Sequence, residues 1–281
     1  MVYIVHGATG AQGSPVLSAL TAAGLQAKAA VRDTSKVSSA AAVAVDYGSA
    51  DSLAAAYEGA EGVFIHLPIG RPEDQIAYAH AIGEAIRRAK PARVVFSTSG
   101  YGVEMTGDGT SPADVMVREL AESDVSYAIV EPRLYLENLL LPVTFGPARE
   151  EGLLHYPLRE DYTTSWSSHL DVADVVVRLL VDHSVTGIVS VGALPGLLGA
   201  DLATGFSRYF GAPIRFKSIA PDQYGQLITP LFGSDAAVPV VESYKHRQTQ
   251  LGETIPEDRS AQKLLGLTPR TVEQWLRDLM N

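Results

Sequence analysis

Apolar residues in the first half of the chain fall in short runs at 2–5, 27–31, 43–45, 62–66, 94–98 and 127–130, each rich in Val, Ile, Phe or Ala. Runs of this length and composition predict buried strands. Between them the apolar positions take helical spacing: Val16, Leu17 and Leu20, then Leu53 and Tyr57, then Ile76, Ile82 and Ile86 beside the polar Glu84, Arg87 and Arg88. Strands alternating with helices make βαβ units, whose right-handed crossovers cover both faces of a parallel sheet. The pattern predicts an α/β fold built on an open, doubly wound parallel sheet.

The rhythm changes after about residue 135, where Pro142, Gly146, Pro147, Gly152 and Pro157 interrupt any long periodicity. Residues 172–181 read as a further helix of the main body, 188–191 as a further strand, 200–210 as a helix and 214–217 as a strand. From about 220 to a last helix at 271–280, with apolar Val272, Trp275, Leu276 and Leu279, the pattern is that of a smaller, mainly helical C-terminal substrate lobe packed beside the sheet. The expected organisation is a core over 1–135 and a mixed region over 136–281, in which about 165–218 completes the core. There is no internal repeat, low-complexity tract or long linker.

Composition narrows the class. With 46% apolar and 19% charged residues among 281, the chain has the make-up of a globular protein, not of a solvated coil. Thirty-two acidic against 22 basic residues give a formal charge of -10, which repels phosphate backbones and anionic lipid and argues against general nucleic-acid or membrane binding. The absence of cysteine excludes disulfides, thiolate metal sites and a cysteine nucleophile. The seven histidines form no HxxH or HExxH pair, so no metal is expected, and no GxSxG elbow marks a hydrolase. The chain opens on Val2-Tyr3-Ile4-Val5 without a basic leader and holds no run of about 18 apolar residues, so a cytoplasmic protein is expected.

The first strand leads into His6-Gly7-Ala8-Thr9-Gly10-Ala11-Gln12-Gly13, followed by a helix with Pro15 in its first turn, where a missing amide donor does little harm. Gly7, Gly10 and Gly13 permit a tight turn, a close backbone approach to a pyrophosphate, and close packing of helix on strand. The helix N-terminus then offers free amides and a favourable dipole to the anion. The spacing is GxxGxxG, not GxGxxG, and glycine turns are common at βα connections, so a purely structural turn is the alternative. Its place at the first βα turn of a doubly wound sheet points to a dinucleotide phosphate site made of Gly7, Thr9, Gly10, Ala11, Gln12 and Gly13.

The end of the second strand separates the two nicotinamide cofactors, because an acidic side chain there accepts from a ribose 2′-hydroxyl whereas a cation pairs with a 2′-phosphate. Here it reads Ala30-Val31-Arg32-Asp33, with Lys36 one turn on as a second phosphate contact. Arg32 favours NADP; Asp33 takes the acidic role if the register shifts by one, and a solvated loop residue is the plain alternative for Arg32. Asp46-Tyr47, after the third strand, are candidates for the adenine side, with helix capping the other use of Asp46. His66-Leu67-Pro68 and Ser97-Thr98-Ser99 follow the fourth and fifth strands, at the carboxyl ends where open α/β sheets bind ligands.

Together the 7–13 loop, Arg32, Val94-Val95-Phe96-Ser97-Thr98-Ser99 and Leu134-Tyr135-Leu136-Glu137-Asn138 resemble the NmrA-like branch of the atypical short-chain dehydrogenases/reductases. Asp171-Val172-Ala173, Leu265-Gly266, Thr271 and Trp275-Leu276 extend the resemblance over most of the chain. It implies a Rossmann-type fold that binds NADP, with NADPH preferred over NADH. Such families hold NADPH-dependent quinone and triphenylmethane dye reductases, benzylic ether reductases and non-enzymatic NADP-sensing regulators.

The departures bear on chemistry. Short-chain dehydrogenases commonly use Tyr-x-x-x-Lys, and none of the 12 tyrosines here has lysine four residues on. Where some relatives keep a lysine, this chain reads Ser111-Pro112-Ala113-Asp114, with Ala113 in its place. Where many read Leu-Arg-Pro, it has Val130-Glu131-Pro132-Arg133. Candidate proton donors are Tyr101, Tyr135 and His66, with an aromatic pocket wall or core packing as the alternative for the two tyrosines. Hydride transfer itself needs positioning and an electron-poor acceptor. The expectation is an NADP-dependent oxidoreductase passing hydride to a small-molecule acceptor, a quinone-like compound or an activated carbonyl. The alternative is a non-catalytic NADP sensor acting through a regulatory protein partner. A homodimer is compatible with either.

Overall fold

The computed structural model describes residues 1–37, 41–103 and 109–280. The chain forms two units, one of Met1–Pro132, His169–Val191 and Asp258–Leu267, the other of Arg133–Ser168, Gly192–Glu257 and Thr268–Asn281.

The first unit is built on strands β1 (Tyr3–His6), β2 (Ala27–Val31), β3 (Ala41–Ala44), β4 (Gly62–His66), β5 (Arg93–Ser97) and β6 (Tyr127–Pro132). After β7 (Leu153–Tyr156) and β8 (Thr163–Thr164) of the second unit, β9 (Gly187–Val191) completes it. All seven run parallel in the order β3-β2-β1-β4-β5-β6-β9. The apolar runs thus form a buried parallel sheet, within one or two residues of the expected bounds.

Its crossovers are α1 (Gly13–Ala22), α2 (Ala50–Tyr57), α3 (Pro72–Ala89) and α4 (Pro112–Ala121). After α5 (Pro142–Glu151) of the second unit, α6 (His169–Val181) returns the chain to β9. The period-2 alternation of each strand divides its side chains between two helical layers. Ile4, Val63, Ile65, Val94, Phe96 and Ile129 join Leu53 and Tyr57 of α2, Ile82 and Ile86 of α3, and Met116 and Leu120 of α4 in one buried cluster. On the other face α1 and α6 lie side by side and bury Val16, Leu20, Val172, Val176 and Leu179. Each fully buried Val, Leu or Ile contributes about 1.5–3 kcal/mol.

β1 and β4 are neighbours, yet the chain leaves β1 towards β2 on one side and β4 towards β5 on the other. That reversal is the switch point of the sheet, where a crevice opens beyond the carboxyl ends of the strands.

The second unit contains a short 3-10 helix (Leu136–Leu140), α5, α7 (Gly199–Phe210), α8 (Pro221–Phe232), α9 (Ser234–Gln248) and α11 (Val272–Met280). The intervening α10 (Ala261–Leu265) belongs to the first unit. Strand β10 (Arg215–Ser218) pairs with β7, and β11 (Gly252–Glu253) with β8. Its core gathers Tyr156, Trp166, Tyr224 and Tyr244 in edge-to-face and tilted contacts. The division differs from the expected one. Residues 169–191 complete the sheet, but 192–218 fold with the second unit, and 258–267 return to the first. The reason is visible in β10: of Arg215, Phe216, Lys217 and Ser218 only Phe216 is even half-buried, a pattern unsuited to a strand covered on both faces. Among the described residues no helix is long and apolar enough to cross a membrane.

Candidate cofactor and acceptor site

β1 passes directly into the glycine loop. Gly7 has φ +56°, a conformation that glycine adopts without strain, and the turn closes with the Gly10 N–H donating to the Gly7 carbonyl at 2.8 Å. A Cβ on Gly13 would collide with the carbonyl oxygens of His6 and Gly7, so α1 can start against the end of β1 only with glycine there. A Cβ on Gly10 would meet only the Gly7 carbonyl, at 3.2 Å; that side of the loop is open. The first turn of α1 carries no acidic residue and no side-chain cap. Ser14 and Val16 donate to the Gly10 and Gln12 carbonyls and Pro15 has no N–H, so among the described residues the Gly13 N–H and the positive end of the dipole are what this turn offers an anion.

Buried side chains support the loop from below. The Tyr47 hydroxyl accepts from the Gly7 N–H at 3.3 Å and donates to the Ala30 carbonyl at 3.4 Å. Tyr47 thus braces the loop against β2, while Asp46 is exposed and accepts from the Gly48 N–H at 2.9 Å. Ser49, not Asp46, caps α2. The His66 imidazole lies against Gly7, so closely that a Cβ there would overlap it. Burial lowers its pKa. His6 bonds the Tyr57 hydroxyl through Nε2 at 2.7 Å, and burial, with His66 nearby, takes it down to about 3. Burial and His66 likewise bring His169, the first residue of α6, down to about 4. At neutral pH these are uncharged rings, and His66 acts on the loop as packing.

At the end of β2 the sequence left two roles open. Asp33 spends its carboxylate locally: Oδ1 accepts from the Ser35 N–H at 3.0 Å and from Ser35 Oγ at 2.6 Å, bonds that hold its pKa below the usual carboxylate value. Arg32 and Lys36 are exposed, and among the described residues neither has an ion-pair partner. The free charges here are cations.

Gln12 links the loop to the end of β5. Its Nε2 donates to Ser99 Oγ at 2.9 Å and its Oε1 accepts from Ser97 Oγ at 2.8 Å. Ser99 (φ +58°) and Gly100 (φ +98°) then turn the chain sharply. Beside this turn lies a cavity of about 170 Å³, lined by Leu67, Pro72, Gln75, Phe96, Ser97, Thr98, Ser99, Tyr101, Ser111, Pro112 and Ala113. Thr98 is only 2% exposed, and its Oγ1 has no hydrogen-bond partner among the described residues. A buried hydroxyl left unpaired is costly, and Thr98 is one of the residues that line the cavity. Tyr101, 66% exposed, stands on the same cavity.

The structure thus brings together in one unit the 7–13 loop, Tyr47, His66, Leu67, Ser97, Thr98, Ser99 and Tyr101, with Pro68 held by the Gln75 side chain at 2.8 Å. Thr9 and Ala11 are exposed on the loop. Tyr135 belongs to the second unit, in a bridge with Ser167. Glu131 is buried within the first, where it accepts from the Val103 N–H and Ser190 Oγ. Sequence reasoning missed Pro72 and Gln75 as cavity residues. Pro72 and Pro112 open α3 and α4 at their first helical position, and helices following β4 and β5 must begin at the ligand-binding edge, which is the signal that marks them. Among the described residues no cluster of three or more His, Asp or Glu side chains is arranged to hold a metal.

A seven-stranded parallel sheet with a glycine loop at its switch point defines a Rossmann-type α/β protein. The chain belongs to the NmrA-like family, whose model matches residues 2–276. It is 30% identical over 240 residues to an NAD(P)H azoreductase of Xenophilus azovorans, covering 80% of each chain. Its fold is similar to that of the Citrobacter sp. triphenylmethane reductase complexed with NADP(H), with a TM-score of 0.79 at 17% identity over 99% of both chains. An Escherichia coli NADPH-dependent quinone oxidoreductase complexed with NADPH superposes with a TM-score of 0.72 at 17% identity, covering 100% of both chains.

Proposed function

We propose that the protein is an NADPH-dependent reductase that passes hydride to a small electron-poor acceptor, a quinone-like compound or an activated carbonyl. The observation that carries this reading is the Gln12 link, which joins the open glycine loop to a largely apolar cavity. The Gly13 amide and the positive end of α1 hold the pyrophosphate, and Arg32 with Lys36 pairs with the 2′-phosphate, a role that Asp33, committed to Ser35, does not contest. NADPH, when bound, supplies the hydride. Tyr101 walls the mouth of the cavity.

The acceptor follows from what is missing. No Tyr-Lys pair supplies a proton, and Ala113 leaves cavity space at the start of α4. An acceptor that stabilises its own developing negative charge needs the least help from a positioned acid. Quinones do so, and the azo compounds implied by the name of the X. azovorans relative belong to the same electron-poor class.

Calorimetric titration with NADPH and NADH, followed by NADPH oxidation with a panel of quinones, azo compounds, triarylmethane dyes, enones and aldehydes, tests the reading. Tighter NADPH binding and oxidation by an electron-poor member are expected. Tight binding with no oxidation by any of them would overturn the enzyme in favour of an NADP sensor.

A further inference from the structure

We infer that Glu131 is a positioning residue for acceptor binding: its carboxylate fixes the segment that carries Tyr101 along the cavity. The inference rests on the reductase reading for what the cavity binds, and on geometry alone for the tether. Glu131 is 2% exposed on β6. Its Oε1 accepts from the Val103 N–H at 3.2 Å and its Oε2 from Ser190 Oγ on β9 at 3.1 Å. The carbonyl of the preceding residue, Val130, accepts from the Thr98 N–H at 3.0 Å. Two consecutive residues of β6 therefore pin both ends of the span 98–103.

Within that span Ser99 and Gly100 hold positive φ, and the Tyr101 N–H donates to the Thr98 carbonyl at 3.3 Å. Tyr101 sits at the apex, too exposed for core packing to fix its ring. Where the ring stands along the cavity is set by the pinned ends. A carboxylate accepting from a backbone N–H is about twice as strong as a neutral pair, which suits it to hold an otherwise solvent-exposed turn. A cation at position 131 would have no oxygen to accept from either Val103 or Ser190, so the tether depends on an acceptor side chain there. The Gln12 link reaches the span at Ser99, ahead of Tyr101, so the cofactor loop keeps its own anchor when Glu131 is lost.

The test compares Glu131→Leu, Glu131→Asp and Glu131→Gln in the full chain by acceptor kinetics, NADPH titration and amide hydrogen exchange. Glu131→Leu is expected to speed exchange at 99–103 and raise KM for a quinone about tenfold, since misplaced contacts cost up to a hundredfold, with NADPH affinity unchanged. Glu131→Gln restores both, because its carboxamide oxygen accepts from Val103 and its NH2 donates to Ser190. Glu131→Asp, one methylene short, keeps the buried charge and loses the reach, which preserves the test if Glu131→Leu does not fold. Tyr101→Ala should raise KM similarly and add nothing to a Glu131 variant, a non-additivity expected of residues acting as one unit. Unchanged exchange at 99–103 in both Glu131→Leu and Glu131→Asp, an equal loss of NADPH affinity, or additive effects would overturn the inference. If none of the acceptors supports NADPH oxidation by the wild-type protein, the reductase reading fails, while the exchange measurement still decides the tether.

Discussion

Gln12 and Ser99, 87 residues apart, are joined by a 2.9 Å hydrogen bond that crosses from the glycine loop to the end of β5. The other end of the same amide accepts from Ser97 Oγ at 2.8 Å. One side chain at the start of α1 therefore joins the glycine loop to the cavity wall. A carboxamide is the side chain that can do this, since it both donates and accepts.

Gln12→Glu is nearly isosteric and tests that point. The carboxylate still accepts from Ser97 but cannot donate to Ser99, and it places a negative charge beside the amide that is to hold a pyrophosphate. NADPH affinity should fall by about tenfold, because the new carboxylate repels the pyrophosphate at close range. Calorimetric titration checks it; unchanged affinity would detach the loop from the cofactor.

Arg32→Ala should remove most of the preference for NADPH, a loss of about 1.5–3 kcal/mol in NADPH binding with little change for NADH. Asp33→Asn should alter the choice of cofactor far less, because that carboxylate already bonds Ser35. Parallel titrations of the two cofactors would contradict the assignment if wild-type protein bound both equally.

The sheet was legible because its strands are buried on both faces and so read as unbroken apolar runs. The glycine loop was legible because backbone space and helix starts constrain residue type directly: Gly13 admits nothing larger. Tertiary partnerships were not. Nothing in Gln12, Ser97 and Ser99 as letters announces a bridge over some 85 residues, and the use of Asp33 depends on a two-residue turn that leaves Arg32 free. The boundary near 192 was missed because 214–217 has strand character while its exposure pattern, one inward side chain in four, emerges only with its partner β7.

Two glycine substitutions should separate folding from binding. In Gly13→Ala the new Cβ meets the backbone oxygens of His6 and Gly7, which cannot move without parting α1 from β1, so a thermal midpoint several degrees lower is expected. In Gly10→Val the nearest fixed atom is one carbonyl at 3.2 Å, so the fold should largely persist while the side chain fills the path of the pyrophosphate. Thermal unfolding and NADPH titration on the same preparations check this. A Gly10→Val protein that binds NADPH normally would reduce the loop to a structural turn.

Acid should destabilise the protein through its buried histidines. His6 and His169 have folded pKa values of about 3 and about 4, below the ordinary 6.5. As pH falls below about 6.5 the unfolded chain takes up protons that the folded one refuses, so stability drops until the folded values are reached. At pH 5 each histidine costs on the order of 2 kcal/mol. Asp33, Asp74, Asp161 and Asp182 have pKa values held below 3.8, so they act below about pH 4 and leave the window from 5 to 6.5 to the histidines. Urea midpoints at pH 7.5 and 5 should differ, and His6→Gln, which keeps a partner for Tyr57 without titrating, should narrow the difference. An equal acid loss in that variant would place the sensitivity elsewhere.

The last expectation concerns which acceptors react. Without lysine beside a tyrosine, the developing oxyanion of the acceptor would take its help from the cavity's hydroxyls, Tyr101 among them. A quinone delocalises that charge and has little use for them, whereas an aliphatic ketone depends on a donor in the transition state. Oxidation of NADPH by a small quinone should therefore be measurable and oxidation by the ketone far slower. Tyr101→Phe should reduce the ketone rate further, by about tenfold to a hundredfold where the hydroxyl serves as donor, and leave the quinone rate nearly unchanged because the aromatic wall is retained. Stopped-flow absorbance at the reduced nicotinamide band measures both on one preparation. Equal losses for the two acceptors would assign Tyr101 to binding alone, and a ketone that reacts as fast as the quinone would mean that a proton donor other than Tyr101 serves the cavity.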